Sequence, residues 1–192
     1  MSVWWQNLRN ACGASLIVWG LSVLASPAWT QPLRPAWGHI PVHRDGFASR
    51  FEAEVWLADM SQRLAPLVPG RHFRLRFLED VRYAALRDGL RPRVVLAVIE
   101  VESSFNPYAV SPMGALGLMQ VMPFWTQRVG EPQANLFRLR TNLRIGCHIL
   151  RHYLNRQHGN LFAALAAYNG SNGLPYYPDR VYAVFHARWF HQ

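Results

Sequence analysis

Residues 92–102 constrain this chain more than any other stretch. Pro92 suits a first helical turn, and Val94, Val95, Leu96, Ala97, Val98, Ile99 and Val101 follow it. A helix that is apolar nearly all round has no face to offer water, so it belongs in a core. Yet this one ends in Glu100 and Glu102, and Asn106-Pro107 closes it, because the residue before proline avoids the helical region. Burial disfavours a charged carboxylate and raises its pKa. A carboxyl still protonated near neutral pH is a general acid. Glu102 sits where the apolar helix meets a glycine-containing stretch with Gly114 and Gly117. Glu100 lies about 200° away around the helix, so the two carboxyls do not share one function. On spacing alone, pairing of Glu102 with an arginine stays open beside the catalytic reading.

The rest of the chain reads as helices, and strand signals are weak throughout. Phe47, Phe51, Val55, Leu57, Ala58 and Leu64 approximate helical spacing before Pro66, Pro69 and Gly70 break it. A second helix is predicted over 72–88, with Phe73, Phe77, Val81 and Ala84 or Ala85 inward and Arg74, Arg82 and Arg87 facing water. Gly89 ends it. Residues 108–122 read as a loop with a short turn, and Pro123 to Val129 as a short helix. Asn142 is placed to cap a longer helix that carries Leu143, Gly146, Leu150 and Tyr153 and stops at Gly159. Asn160 caps an apolar helix over Leu161–Tyr168. Pro178 to Trp189 is the last, with Tyr182, Phe185 and Trp189 as its core stripe.

Residues 1–28 read as a signal peptide: Arg9, then an apolar run from Ala11 to Ala25, then Ser26, Pro27 and Ala28. The run is short for a membrane span of roughly 20 residues; left uncleaved, it would associate the chain with a membrane. Residues 29–45, with Pro32, Pro35, Gly38 and Pro41, read as a linker. Residues 46–88 form a helical N-terminal region, and residues 89–190 the main domain. Cleavage would remove Cys12 and leave Cys147 alone, a small apolar core residue.

All 20 basic residues are arginine. The absence of lysine excludes a P-loop or a Schiff-base enzyme. Two cysteines supply neither a disulfide framework nor a four-thiolate zinc site. His148 and His152 have metal-ligand spacing but lack a glutamate between them and a third ligand, so they read as a solvated helix face and no metal is expected. The formal charge of +9 falls to +8 without Arg9. No nucleic-acid motif accompanies it, and export leads away from nucleic acid. Attraction to anionic wall polymers or membrane surfaces accounts for it.

Three sets of residues carry a family resemblance. The first runs Glu102-Ser103-Ser104-Phe105-Asn106-Pro107, then Ala109-Val110-Ser111-Pro112-Met113-Gly114-Ala115, then Gly117-Leu118-Met119-Gln120-Val121-Met122-Pro123. The others are Asn142-Leu143-Arg144-Ile145-Gly146 and Ala166-Ala167-Tyr168-Asn169-Gly170. In this order they resemble the SLT domain of lytic transglycosylases, over roughly residues 89–190. The resemblance implies an all-α, lysozyme-like fold with a short helical N-terminal extension. It makes Glu102 the single catalytic acid/base, with Ser103 orienting it or supporting the local backbone. Ser111, Gln120 and Met122 would line a glycan groove, with Tyr168 and Asn169 facing Glu102 and the Tyr168 phenol bonded to the acid. The chain departs from the family's Gly-Pro-Gly-like turn at Gly170-Ser171-Asn172-Gly173.

The expected activity is cleavage of the MurNAc–GlcNAc β-1,4 bond to 1,6-anhydromuramyl products, with peptidoglycan strands as partner and no cofactor. A cell-envelope or secretion-apparatus partner is compatible with export to the periplasm. A goose-type lysozyme-like hydrolase of the same bond and a non-catalytic peptidoglycan-binding protein are the alternatives. Glu131 and Asp179 are the nearest candidates for the second carboxylate that ordinary hydrolysis needs.

Overall fold

The computed structural model describes residues 49–171 and 173–190. The signal peptide and linker expected over residues 1–45 lie outside the described residues, as do the expected helix start at Phe47 and the loop residue Asn172. Seven α-helices are described: α1 Arg50–Leu64, α2 Arg71–Arg87, α3 Pro92–Ser103, α4 Phe124–Arg128, α5 Leu139–Arg156, α6 Leu161–Asn169 and α7 Tyr176–Val184. A π-helical turn, Phe185–Trp189, ends the series. Among the described residues, β-pairing is limited to two single bridges, Val110 with Leu116 and Leu116 with Val121. The chain is mainly α, as the periodicity predicts. No described helix is long and apolar enough to cross a membrane.

Helix α3 is the axis of the fold. Val94 through Ile99 are all buried, most of them completely. Helices α2 and α7 and the π turn pack around α3, while α5 lies between α2 and α6, and α6 reaches α7. The helix stops at Ser103, earlier than Asn106-Pro107 predicts. Ser104 and Phe105 both take positive φ, 49° and 64°. That turn swings the Phe105 ring inward, edge-on to Phe77 at 5.8 Å and to Trp189 at 6.0 Å, so burial of the ring offsets the strained backbone.

Several expectations about faces are corrected. On α1, Leu64 is buried as expected, but Phe51, Val55 and Ala58 are exposed, and Ala53, Met60 and Ser61 are buried in their place. On α2 the stripe begins at Phe77; Phe73 is largely exposed. Its arginines do not simply face water. Arg74 donates to the carbonyls of Val68 and Pro69 at 2.8 and 2.5 Å and to Ser61. Arg87 bonds Asp88 and the Arg144 carbonyl, and Arg82 lies over the Trp56 ring. A backbone carbonyl has two lone pairs to satisfy, and a guanidinium supplies several donors in a fixed fork.

Asn142 does not cap α5. The helix begins at Leu139, a turn earlier, and Asn142 is buried within it. Its Oδ1 accepts from the Met119 amide at 2.8 Å, and its Nδ2 donates to the Leu116 and Leu136 carbonyls, each at 2.8 Å. Asn160 does cap α6, accepting from the Ala163 amide. The final helix starts at Tyr176 rather than Pro178, and its buried residues are Tyr177, Pro178 and Val181. Tyr182 and Phe185 are half-buried. The widened π turn carries Trp189 fully inside.

Candidate active site

Loop 104–123 folds back over the C-terminal end of α3 and is fixed from beneath by α5. Two glycines make that approach possible. A Cβ on Gly117 would lie 2.5 Å from Asn142 Nδ2 and 2.7 Å from the Leu136 carbonyl, and one on Gly146 would lie 2.6 Å from the Met119 sulfur. The Ser103 hydroxyl ties α3 to the loop, 2.8 Å from the Leu118 carbonyl and 3.1 Å from that of Ile99. Between loop, α4, α5, α6 and α7 a cleft of about 290 Å³ opens, with Glu102 in its wall.

Of the residues assigned to the site, Ser111, Gln120, Met122, Tyr168 and Asn169 line this cleft together with Glu102. Ser103 does not; it supports the backbone beneath the acid. Ser111 Oγ accepts from the Ala115 amide at 3.0 Å, closing the turn at Gly114. Gln120 holds a positive φ of 46°. Its Nε2 donates to the carbonyls of Gly117 at 2.9 Å and Ala109 at 3.2 Å. Both amide hydrogens are thereby engaged inside the loop, and the amide oxygen is left as the acceptor.

The expected bond from Tyr168 to the acid is replaced by another. Tyr168 Oη donates to the Met119 carbonyl at 2.6 Å, fastening α6 to the loop. Tyr177 Oη donates to Glu102 Oε1 at 2.6 Å. Tyr177 was not legible as a site residue because Pro178 reads as the first helical position, which puts Tyr177 outside the helix. Its signal is a spacing of four to Val181, on one face of α7: a phenol within an apolar stripe needs a polar partner. Trp125 and Tyr176 also line the cleft unannounced.

Burial pushes Glu102 up to about 7, against the opposing pull of the Tyr177 hydrogen bond and the Arg180 charge. Burial, reinforced by the neighbouring Glu102 charge, drives both Tyr168 and Tyr177 well above the ordinary phenol range, so both remain proton donors. Among the described residues, no other carboxylate lines the cleft. Glu100 accepts from Arg188 Nε at 3.1 Å on both oxygens and from Trp189 Nε1 at 2.9 Å. Glu131 is held by Arg144, and Asp179 is exposed in the first turn of α7.

The histidines of α5 are half-buried rather than solvated. His148 lies 3.6 Å from Asp88, and His152 sets its edge against Trp125. In the divergent loop, Ser171 is buried and bonds back to the Ala166 carbonyl through both its amide and its hydroxyl.

The model of the family described as "Transglycosylase SLT domain" matches residues 79–174. The chain belongs to that family. A transglycosylase of Enterobacteria phage PRD1 is 38% identical over 96 residues, covering 50% of this chain and 35% of the phage protein. The membrane-bound lytic murein transglycosylase C of Yersinia pestis (strain Pestoides F) is 34% identical over 128 residues, 58% of this chain and 34% of the relative. The chain thus spans about a third of the length of these relatives. The crystal structure of the 70 kDa soluble lytic transglycosylase from Escherichia coli superposes with a TM-score of 0.45 at 22% identity, over 70% of this chain and 24% of that one.

Proposed function

We propose that the chain is a lytic transglycosylase that cleaves the MurNAc–GlcNAc β-1,4 bond of peptidoglycan with Glu102 as its single acid/base. The observation that carries this reading is one carboxyl, raised to about 7, in a cleft whose described lining holds no second carboxylate. A retaining hydrolase places its two carboxyl groups about 5 Å apart, and an inverting one about 6.5–9.5 Å apart with a water between. Neither arrangement is available in this lining.

Glu102 in its protonated form delivers its proton to the glycosidic oxygen as the C1–O4 bond breaks. The positive charge at C1 is met by the substrate's own acetamido group and by the polar groups of the cleft. The Gln120 amide oxygen suits an acetamido N–H or a sugar hydroxyl. Glu102, now a carboxylate held by Tyr177, takes the proton of the C6 hydroxyl as that oxygen bonds C1. The nucleophile is tethered to the reacting ring, which lowers the entropic cost of reaching it.

Glu102→Gln should abolish lysis of purified cell wall while keeping the fold, since the amide is nearly isosteric and delivers no proton. Mass spectrometry of wild-type digests should show muropeptides about 18 Da lighter than hydrolysed ones, the mass of the water not added. Reducing-end products carrying oxygen from labelled water would make the chain a goose-type hydrolase. Full wall binding without any cleavage would make it a binding protein.

The relatives named membrane-bound murein transglycosylases support action in the cell envelope. Export through residues 1–28 completes this reading. N-terminal sequencing of the processed protein should then start near Ser26 or Trp29, and a mature form that begins at Met1 would oppose it.

A further inference from the structure

Toward the ends of α6 and α7 that lie away from the cleft, four aromatic rings form a row. Phe162 stands in the first turn of α6. Tyr182, His186 and Phe190 follow one another at intervals of four through α7 and the π turn, a spacing that keeps them on one face. Ring centres are 6.2 Å apart from Phe162 to Tyr182, 6.4 Å from Tyr182 to His186 and 5.3 Å from His186 to Phe190. Phe162 is 37% exposed and Phe190 43%; His186 is exposed and Tyr182 half-buried. Ala183 and Ala187, both exposed, follow the two middle rings in sequence and are too short to cover them.

Two features set this row apart from scattered surface aromatics. One is the backbone that ends it. The Phe190 amide donates to the Phe185 carbonyl, five residues back, at 2.7 Å, and that widened turn buries Trp189 while Phe190 stays outside. Such turns are rare and recur at functional sites. The other is polarity at the ring edges. Among the described residues, no group hydrogen-bonds Tyr182 Oη or the His186 ring nitrogens. The row therefore offers apolar faces with open polar edges. A pyranose has the matching build, with C–H groups on its faces and hydroxyl and acetamido groups around its rim. An aliphatic partner would strip water from those edges and pair them with nothing.

The same two helices carry Tyr168, Asn169 and Tyr176 into the cleft, and Tyr182 follows Tyr176 by six residues, about 9 Å along a helix. We infer that the row of Phe162, Tyr182, His186 and Phe190 is a second glycan-binding surface, on which uncut wall polysaccharide stacks while the cleft holds the bond to be cleaved. This rests on the reading of the cleft as a wall-glycan site. The wall is an insoluble polymer, so a second hold raises the effective concentration of strands at the cleft. None of the four rings lines the cleft, and their loss should spare the chemistry.

The Glu102→Gln chain should bind wall without cutting it, so its co-sedimentation with purified sacculi reads the row. Adding Phe162→Ala and His186→Ala together should weaken that binding about tenfold, the scale of one or two lost aromatic contacts. Tyr182→Phe, which keeps the ring and loses the hydroxyl, should fall between. His186→Trp enlarges the stacking face and should tighten binding, a gain that misfolding does not produce. With Glu102 intact, His186→Ala should slow lysis of whole sacculi and leave kcat/KM unchanged on short soluble strands that fill only the cleft. Unchanged binding in all these variants, or equal losses on sacculi and short strands, would overturn the proposal. NMR separates its failure from that of the function proposed above. A tetramer of N-acetylglucosamine should shift the His186 ring signals. That shift in a chain that cuts no wall would refute the lytic activity and keep the row, and wall lysis without the shift would do the opposite. Concentration-dependent dimers that His186→Ala dissolves would make the row a contact between copies and refute the glycan assignment.

Discussion

Tyr177 Oη and Glu102 Oε1 are 2.6 Å apart, and this contact works against the burial that makes Glu102 an acid. Desolvation raises the carboxyl, whereas the phenol stabilises its charged form and lowers it. Tyr177→Phe should therefore lift the Glu102 pKa above its present value of about 7, moving the alkaline limb of the pH–rate profile to higher pH. It should also lower kcat about tenfold through lost positioning. Tyr168→Phe should leave that limb in place, because its hydroxyl serves the Met119 carbonyl. A limb that stays put in Tyr177→Phe would separate the phenol from the acid. Stability follows the same proton. The folded chain holds it up to about pH 7 and the unfolded chain releases it near the ordinary carboxyl value of 4.5, so stability falls as pH rises through that window. Glu102→Gln should melt above the wild type at pH 8 and converge with it at pH 4. The buried setting of Glu102 was legible, since a carboxylate at the end of an apolar helix is conspicuous. Its tyrosine was not, because it lies 75 residues away and only packing brings the two together.

Two asparagines with the same sequence signature do different work at the scale of the helix. Asn160 precedes an apolar helix and caps it. Asn142 was read the same way, but lies one turn inside α5, where it satisfies three backbone groups of loop 104–123 and its approaches. The local pattern cannot separate these uses, since a cap and a buried strut both place asparagine beside apolar residues. Only the path of the loop decides, and that path depends on Gly117 and Gly146 leaving room for it. The arginines of α2 depart from expectation for a related reason: their charge suggests solvent, whereas Arg74 reaches carbonyls of the α1–α2 connection and Arg87 reaches the Arg144 carbonyl within α5. Asn142→Leu keeps the side-chain volume and leaves the Met119 amide and two carbonyls unpaired. At about 1–3 kcal/mol for each buried group left unsatisfied, urea unfolding should show a loss of about 3 kcal/mol or more. A loss below 1 kcal/mol would mean that water replaces the asparagine and that the loop is held elsewhere.

Across the whole molecule, the ends of the described chain meet at the helix that carries the acid. Arg63 of α1 donates to the Arg188 carbonyl at 2.8 Å. Arg188 and Trp189 both bond Glu100, and the Trp189 ring meets Phe105, just past the acid. One buried cluster runs from Met60 and Leu64 of α1 through α3 to Trp189, so the N-terminal helices share a core with the site. The helical class was legible from periodicity alone, whereas this closure was not, because it pairs residues 125 positions apart. The closure assigns Glu100 a structural task distinct from that of Glu102, two residues away. Glu100→Gln removes the charge opposite Arg188 but keeps an oxygen for the Trp189 N–H. The Arg188 side chain stays partly exposed, so water takes up part of its charge and the loss stays moderate, about 1–3 kcal/mol. For a chain of this size that is a fall in Tm of roughly 2–12 °C. Wall lysis at 25 °C should persist, because nothing in the cleft changes. Calorimetry and zymography on the same preparations make the comparison: Glu100→Gln should lose heat stability and keep lysis, and Glu102→Gln should keep heat stability and lose lysis. The reverse pattern would place the chemistry on the other carboxyl and the clasp where the cleft now stands.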